Sequence, residues 1–404
     1  LDKASLDALF NLRGKVELGL GPMNRLLEAL GHPESGSRII HLAGTNGKGS
    51  TLAGLETLFL ASGYTTGAFI SPHLVHFNER FRLNGQPASD ALVDAALEQV
   101  CAALGVSVAG LGQTSEKELG ASFFEISFAM ALLILKGADW LLVETGLGGR
   151  LDATNALQHP LATVITRIGF DHMDYLGQSL PEITGEKLGI FKPGAAAFLA
   201  PQEPEVVELA RSKALELGVP LWEADRQSLA GMPLGLAGRH QEENLATSLL
   251  VYRQLCPPER RLDPNAEARA LASVRWAGRL ERVGENLLLD GAHNAQGLAA
   301  LLAYLKEFHG GKKILLGLGW MTGKNLLEGF DGTGLDLTFL PLAGGFFQAE
   351  PDPRNALVLL GPCLAPHSPK AALGAWRAGG FKDFDLVVFS GSLYLVGQFK
   401  SLLG

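Results

Sequence analysis

The residues best suited to chemistry form one short run, Gly44-Thr45-Asn46-Gly47-Lys48-Gly49-Ser50. A glycine-rich turn between a strand and a helix lets backbone N–H groups wrap a phosphate at the positive end of the helix. Lys48 is placed to reach the β- and γ-phosphates of a nucleotide, and Ser50 offers a hydroxyl to a phosphate or a magnesium ion. The run departs from the general pattern GxxxxGK[ST]: the glycines before the lysine are closer together, and Gly49 separates Lys48 from Ser50. Taken alone, it also reads as a strand-to-helix turn carrying a surface lysine.

Other candidates follow the ends of apolar stretches. Asp139-Trp140-Leu141-Leu142-Val143 runs into Glu144, and an acid so placed holds Mg²⁺ in phosphate-loop enzymes. An ordinary exposed glutamate at a strand end is the competing reading. Ser71 follows the stretch Thr66 to Ile70, and His172 follows Ala162 to Ile165. Each alone reads as a loop residue bonded to backbone. Three such residues after three strands point to one site, because ligands gather beyond the C-terminal edge of a parallel sheet. Hydroxyl, carboxylate and phosphate oxygens suit hard Mg²⁺. Between these lies Thr145-Gly146-Leu147-Gly148-Gly149-Arg150-Leu151-Asp152-Ala153-Thr154-Asn155, whose glycines allow close backbone approach to a ligand. Ser122-Phe123-Phe124-Glu125 is a helix capping box ahead of an apolar run. Lys187 reads as a solvated lysine on a helix face.

These residues need a scaffold, and strand and helix patterns alternate through most of the chain. Arg38 to Leu42, Thr66 to Ile70, Trp140 to Val143 and Ala162 to Ile165 read as strands; Ser50 to Ala61, Ser122 to Leu135 and Asn244 to Leu255 read as helices. Ala91 to Leu104 puts Leu92, Ala96, Leu97, Val100 and Leu104 on one helical face. The rhythm predicts a mostly parallel α/β sheet. After the Pro- and charge-rich Pro257 to Pro264 and the polar Val274 to Glu285, a second α/β rhythm begins at Leu287-Leu288-Leu289. Its further strands are Lys313 to Leu316, Leu335 to Leu340, Ala356 to Leu360 and Leu386 to Phe389. With 404 residues two domains are expected, divided as 1–283 and 284–404.

Composition narrows the class. Hydrophobic residues make up 47% and charged residues 19%, a globular balance. A formal net charge of -8 gives no general basic surface for nucleic acid. Three scattered cysteines suit a reducing compartment. The longest apolar run, Ile126 to Leu135, is too short to span a bilayer, and the opening residues show no charged stretch followed by an apolar run. The expectation is a cytoplasmic protein.

The GTNGKGS form of the loop resembles that of Mur-type ligases, and with Gly49 it resembles their folylpolyglutamate synthase/dihydrofolate synthase branch. Glu144 to Asn155 follows that family's E-x-G-x-G-G-R-x-D-A-T-N stretch, Glu186 to Lys192 its E-K-x-G-I-x-K/R segment, Asn78 to Gly85 its E-R-x-x-x-N-G stretch, Asp290 to Asn294 its D-x-A-H-N, and Ser390 to Tyr394 its T-G-S-x-Y. The resemblance runs from Leu18 to about Tyr394. It implies an N-terminal P-loop-type ATPase domain with a mostly parallel sheet that binds ATP and folate, and a smaller C-terminal Rossmann-like α/β domain for glutamate ligation. It implies ATP contacts at Thr45, Asn46, Gly47, Lys48, Gly49, Ser50, Asn244, Arg279 and Asp290. Magnesium would be held at Ser71, Glu144 and His172. Lys48, Lys187 and His293 would lie at the reaction, with Lys187 carbamylated. On the substrate side it implies Arg80, which suits a carboxylate clamp; Ser122, Phe123, Phe124 and Glu125 beside a flat heterocycle; and Leu151, Asp152, Ala153 and Ser392.

The implied reaction adds L-glutamate to a folate, or to dihydropteroate, through an acyl phosphate formed from ATP. A monomer is the family expectation. Ala277 and Ala295 stand where prolines are usual, and Gly317 to Asn325 lacks the acids common there. Competing readings are a ligase acting on a cell-wall nucleotide precursor, a P-loop kinase or regulatory ATPase, and a non-catalytic nucleotide-binding protein.

Overall fold

A computed structural model describes residues 3–12, 19–324, 326–343, 349 and 353–403. Leu18 and Asn325, which bound two of the motif stretches above, lie outside the described residues. Among the described residues the strands form two sheets. The first has eight strands: β1 (Arg38–Ala43), β2 (Thr66–Phe69), β3 (Phe81–Leu83), β4 (Gln86–Pro87), β5 (Trp140–Glu144), β6 (Ala162–Ile165), β7 (Ala196–Leu199) and β8 (Leu221–Glu223). Their order is β4-β3-β2-β5-β1-β6-β7-β8, parallel except for the edge hairpin β3–β4.

The central strands carry apolar residues on both faces because helices cover both. In β1 every residue but Arg38 is buried, and β5 is buried throughout. One face packs on the helix Phe123–Ile134, the other on Lys48–Ala61 and Arg239–Leu255. Register then fixes the site: Leu42 pairs with Glu144, Ala43 with Ile165 and Phe69 with Val143. The loops leaving β1, β2, β5 and β6 therefore emerge side by side at one sheet edge.

The second sheet contains β9 (Glu281–Val283), β10 (Leu287–Leu289), β11 (Lys313–Leu318), β12 (Asp336–Pro341) and β13 (Leu386–Ser390), ordered β12-β11-β13-β10-β9. Only β9 runs antiparallel. The expected division after residue 283 falls inside the β9–β10 hairpin of this sheet.

Three local expectations are corrected. Leu92 is 43% exposed, while Val93, Ala96, Leu97, Val100 and Cys101 form the buried face of the helix Asp90–Ala103. The Asn244 helix begins at Arg239, a polar opening turn that apolar periodicity does not register. Ala356 to Leu360 is not a strand: Arg354–Leu357 is a short helix opened by Pro353, and Leu359 beyond it is 84% exposed. A short apolar run does not by itself distinguish strand from helix.

The two domains meet closely. Arg239 of the first pairs with Glu307 of the second, with Nε to Oε2 at 3.0 Å. On the other side the helix Leu393–Leu403 sets Gly397 against the Leu74 carbonyl, where an added Cβ would lie 2.0 Å from that oxygen. No helix among the described residues is long and apolar enough to cross a membrane.

Candidate active site between the two domains

The phosphate loop leaves β1 and enters the helix Lys48–Ala61 through Gly47, whose φ of 92° favours glycine. The position is also crowded: a Cβ on Gly47 would lie 2.1 Å from Asn244 Oδ1. The loop leans on the segment after β6. Thr45 and Asn46 donate their backbone N–H groups to the Arg167 carbonyl at 3.0 and 3.1 Å, and Thr45 Oγ1 donates to the Gly169 carbonyl at 2.9 Å.

Several polar groups here are held in reserve. Ser50 Oγ is buried and has no hydrogen-bond partner among the described residues. Such an atom costs free energy unless a ligand completes it. Lys48 Nζ donates to the Gly44 carbonyl at 3.1 Å and stands 3.8 Å from Glu144 Oε1. Lys187, from the helix Leu180–Leu188, reaches the same carbonyl at 3.1 Å. Burial, reinforced by the Lys48 charge, pulls the Lys187 amine down to about 7. Burial pushes the Glu144 carboxyl above the usual carboxylate range; Lys48 and the Ser71 N–H, at 3.3 Å, pull the other way.

From the second domain, β10 delivers Asp290, whose carboxylate accepts the N–H groups of Leu280 and Ala292, each at 2.9 Å. Asp290 and Glu144 both attract the Arg279 guanidinium. His293 Nδ1 lies 3.0 Å from the Gly291 carbonyl, and its Nε2 lies 3.4 Å from Asp171 Oδ2. Asp171 is the hub of the seam. It accepts from Asn294 Nδ2 at 3.1 Å and pairs with Lys324, whose Nζ is also 3.3 Å from His172 Nε2. Burial alone would raise the Asp171 carboxyl. The His293 hydrogen bond and the nearby charges of His172, His293 and Lys324 outweigh it and hold the group well below the usual range.

On the substrate side the polar groups are already engaged. Ser122 and Glu125 form the expected capping box: the Ser122 N–H and Oγ reach Glu125 Oε2 at 2.7 and 2.8 Å. Asp152 accepts from the N–H groups of Leu147 and Thr154 at 2.8 and 3.0 Å and from the Thr154 hydroxyl. Arg80 is buried, donates to His73 Nδ1 at 2.9 Å and lies 5.1 Å from the Phe123 ring centroid. Gly146 is glycine because the Phe124 ring lies on it; a Cβ would come within 2.5 Å of that ring.

Two cavities result. One, of about 340 Å³, contains the phosphate loop with Glu144, Lys187, Asn244, Arg279 and Asp290. The other, of about 1170 Å³, is walled by Arg80, Phe123, Phe124, Leu151, Asp152, Ala153 and Ser392, with Ser122 and Glu125 beneath. They share Ser71, Asp171, His172, His293 and Gln296. Every residue to which the resemblance assigns a site role lines one or both. Sequence reasoning passed over Asp171, visible only as the neighbour of His172, and Gln296, which carried no signal. It noticed Lys324 only for the acids missing around it.

As a metal site the donors are sparse. Among the described residues no three His, Cys, Asp or Glu side chains gather into a cage. That suits Mg²⁺, which keeps waters and takes phosphate oxygens rather than a full protein shell. Ser71, Glu144 and the unpartnered Ser50 hydroxyl fit such a role. His172 lies at the same junction, with Lys324 against its Nε2.

A glycine loop of this form and a large aromatic cavity, joined between two α/β domains, define a two-domain ATP-dependent ligase. No family model matches the chain. It is 36% identical over 324 residues to the dihydrofolate synthase/folylpolyglutamate synthase of Bacillus subtilis, covering 73% of this chain and 74% of that protein. Among solved structures, folylpolyglutamate synthase of Mycobacterium tuberculosis complexed with ADP superposes with a TM-score of 0.83 at 27% identity, over 99% of this chain and 98% of that one. The E. coli FolC complex with DHPP and ADP gives 0.82 at 26% identity, over 100% and 99%. The chain belongs to the dihydrofolate synthase/folylpolyglutamate synthase family. A ligase of cell-wall precursors is not favoured by these relatives.

Proposed function

We propose that this ligase joins L-glutamate to a folate and also to dihydropteroate, activating the acceptor carboxylate with ATP. The observation that carries this reading is the junction: the nucleotide-type cavity and the aromatic cavity abut along Ser71, Asp171, His172 and His293, which line both. A flat heterocycle against Phe123 and Phe124 would direct its carboxylate tail to that wall. There the carboxylate attacks the γ-phosphate, giving an acyl phosphate and ADP; the glutamate amine then attacks the acyl carbon and phosphate leaves. Lys48 and Arg279 offset the charge that develops on the transferring group. The loop amides, Asn244 and Asp290 hold the nucleotide, and Arg80 clamps a glutamate carboxylate. Leu151, Ala153 and Ser392 shape the acceptor wall.

Ser71 and Glu144, with His172 beside them, would hold Mg²⁺, which when bound neutralises phosphate charge and orients the chain. An amine at about 7 is largely neutral near physiological pH, which supports carbamylation of Lys187: the nitrogen adds to carbon dioxide and loses a proton. The monomer and the cytoplasm remain expectations of the family resemblance and of the three scattered cysteines. We place the domain boundary before Glu281, since β9 pairs with β10.

The test is phosphate release from ATP by purified protein with Mg²⁺ and L-glutamate, with dihydropteroate, tetrahydrofolate or no acceptor. Glutamate-dependent release with both acceptors is expected. Release with tetrahydrofolate alone restricts the enzyme to polyglutamylation. Release with neither, from folded protein that binds ATP, overturns the reading.

A further inference from the structure

One polar cluster at the seam includes a residue, Gln296, that has no role in the chemistry above. Asn46, in the phosphate loop, faces Asn294 and Gln296 of the second domain. Asn46 Nδ2 donates to Gln296 Oε1 at 2.7 Å and to Asn294 Oδ1 at 3.2 Å, and Asn294 Nδ2 donates back to Asn46 Oδ1 at 3.2 Å. Anchors outside the trio fix each amide's direction. Asn294 Nδ2 also donates to the Asp171 carboxylate, and Asn294 Oδ1 caps the helix Ala295–His309 by accepting the Gly297 N–H at 2.8 Å. Gln296 Nε2 donates to the Ile168 carbonyl at 3.2 Å, so its oxygen is the atom left for Asn46. Both Asn46 amide hydrogens are thereby used, each on the second domain.

Gln296 grips two things at once. It holds Asn46, and it lies on the segment carrying Arg167, the residue whose carbonyl holds the phosphate loop from behind. The Gln296 amide packs directly on Gly169, where an added Cβ would come within 2.8 Å of Oε1. Separating the domains breaks the Asn46 and Ile168 bonds together. The loop would then keep only its first-domain holds, chiefly the Arg167 carbonyl and the Thr45–Gly169 bonds, and Asn46 would lose both side-chain acceptors.

We propose that Gln296 is a positioning residue that makes the set of the phosphate loop conditional on domain closure. The loop is held for transfer only while the second domain covers the junction, so an acyl phosphate forms where water is excluded. The consequence for turnover rests on the ligase reading above; the mechanical part does not.

Two measurements separate these parts. The first is hydrogen exchange of loop amides 44–50 in ligand-free protein, comparing wild type with Gln296→Met, which keeps length and packing but makes neither bond. Faster exchange confined to this loop and to 167–169 is expected; unchanged exchange overturns the proposal whatever the substrate. The second is the ratio of ligated product to phosphate released. In Gln296→Met, kcat should fall about ten- to hundredfold, the scale expected for two lost part-buried hydrogen bonds. The ratio should fall with it. Gln296→Glu, which still accepts from Asn46, should recover part of both. A kcat loss with the ratio unchanged would mean a merely structural residue and overturns the proposal. If wild-type protein releases no glutamate-dependent phosphate, the ligase reading fails while the exchange result still stands.

Discussion

The two cavities differ in what their polar groups are doing. On the nucleotide side Ser50 Oγ has no partner among the described residues, Lys187 is a buried amine against one carbonyl, and Glu144 is a buried acid weakly balanced by Lys48. On the acceptor side Asp152 has three donors, Ser122 and Glu125 satisfy one another, and Arg80 is seated on His73 and Phe123. One wall is left incomplete for a charged ligand; the other, Arg80 apart, is finished and presents shape. Residues in a binding motif can thus serve by reserving their bonds or by spending them on the wall.

Substitutions can break or sharpen this contrast. The largest effect belongs to Lys48→Ala, which should lower phosphate release by about 10²–10³-fold with an unchanged melting curve, as for other groups facing developing charge. Near-normal turnover would end the reserve argument. Next is a pair with opposite signs. Asp152→Ala should destabilise the fold by about 2–3 kcal/mol, because buried donors lose a charged acceptor. Ser50→Ala should lower activity yet leave stability unchanged or raise it by about 1 kcal/mol, because it removes an unpartnered hydroxyl. Denaturant melts of both decide it; a destabilised Ser50→Ala with a normal Asp152→Ala would reverse the assignment.

The smallest effect tests whether an unpartnered atom is enough to mark a ligand site. His41 in β1 is fully buried, with Nδ1 unpartnered and Nε2 2.8 Å from Thr154 Oγ1, yet it faces the core. Burial, with a contribution from Lys192, holds its pKa down at about 3. The unfolded chain binds a proton near pH 6.5 that the folded chain refuses. Stability from this group is therefore complete above about pH 6.5 and lost as pH falls toward about 3, by up to ~1.4 kcal/mol per pH unit. His41→Leu should flatten the decline in melting temperature between pH 7 and 5 without altering the phosphate-release profile through the ligand site. An equal decline in both proteins would discard it.

The architecture was readable because apolar runs and glycine turns record burial and backbone geometry directly. β6 and the cores of β1, β5 and β10 fall where periodicity put them. The short apolar run around Val358 misled because length alone separates strand from helix there. The site residues were readable as a set, since parallel register brings Gly44, Ser71 and Glu144 to one edge. Their internal bonding was not: nothing in Asp152 or Ser50 as letters says which has partners. The roles of Gln296 and Lys324 were invisible for a related reason. They act across the seam, and a seam between distant segments leaves no local pattern.

The contact of Gly397 with the Leu74 carbonyl gives that seam a fulcrum. The Leu74 N–H is tied to Glu79 Oε2 at 2.7 Å, and a few residues back along the same turn Ser71 faces both cavities. A side chain at 397 would act as a doorstop, pressing on the Leu74 carbonyl in the turn that carries Ser71. The tolerance of the reaction centre is thus machined partly into a glycine of this helix that lines neither cavity, one turn beyond Leu393 and Tyr394, which do. A second domain grafted from a relative would fit this chain only if it, too, left that spot bare.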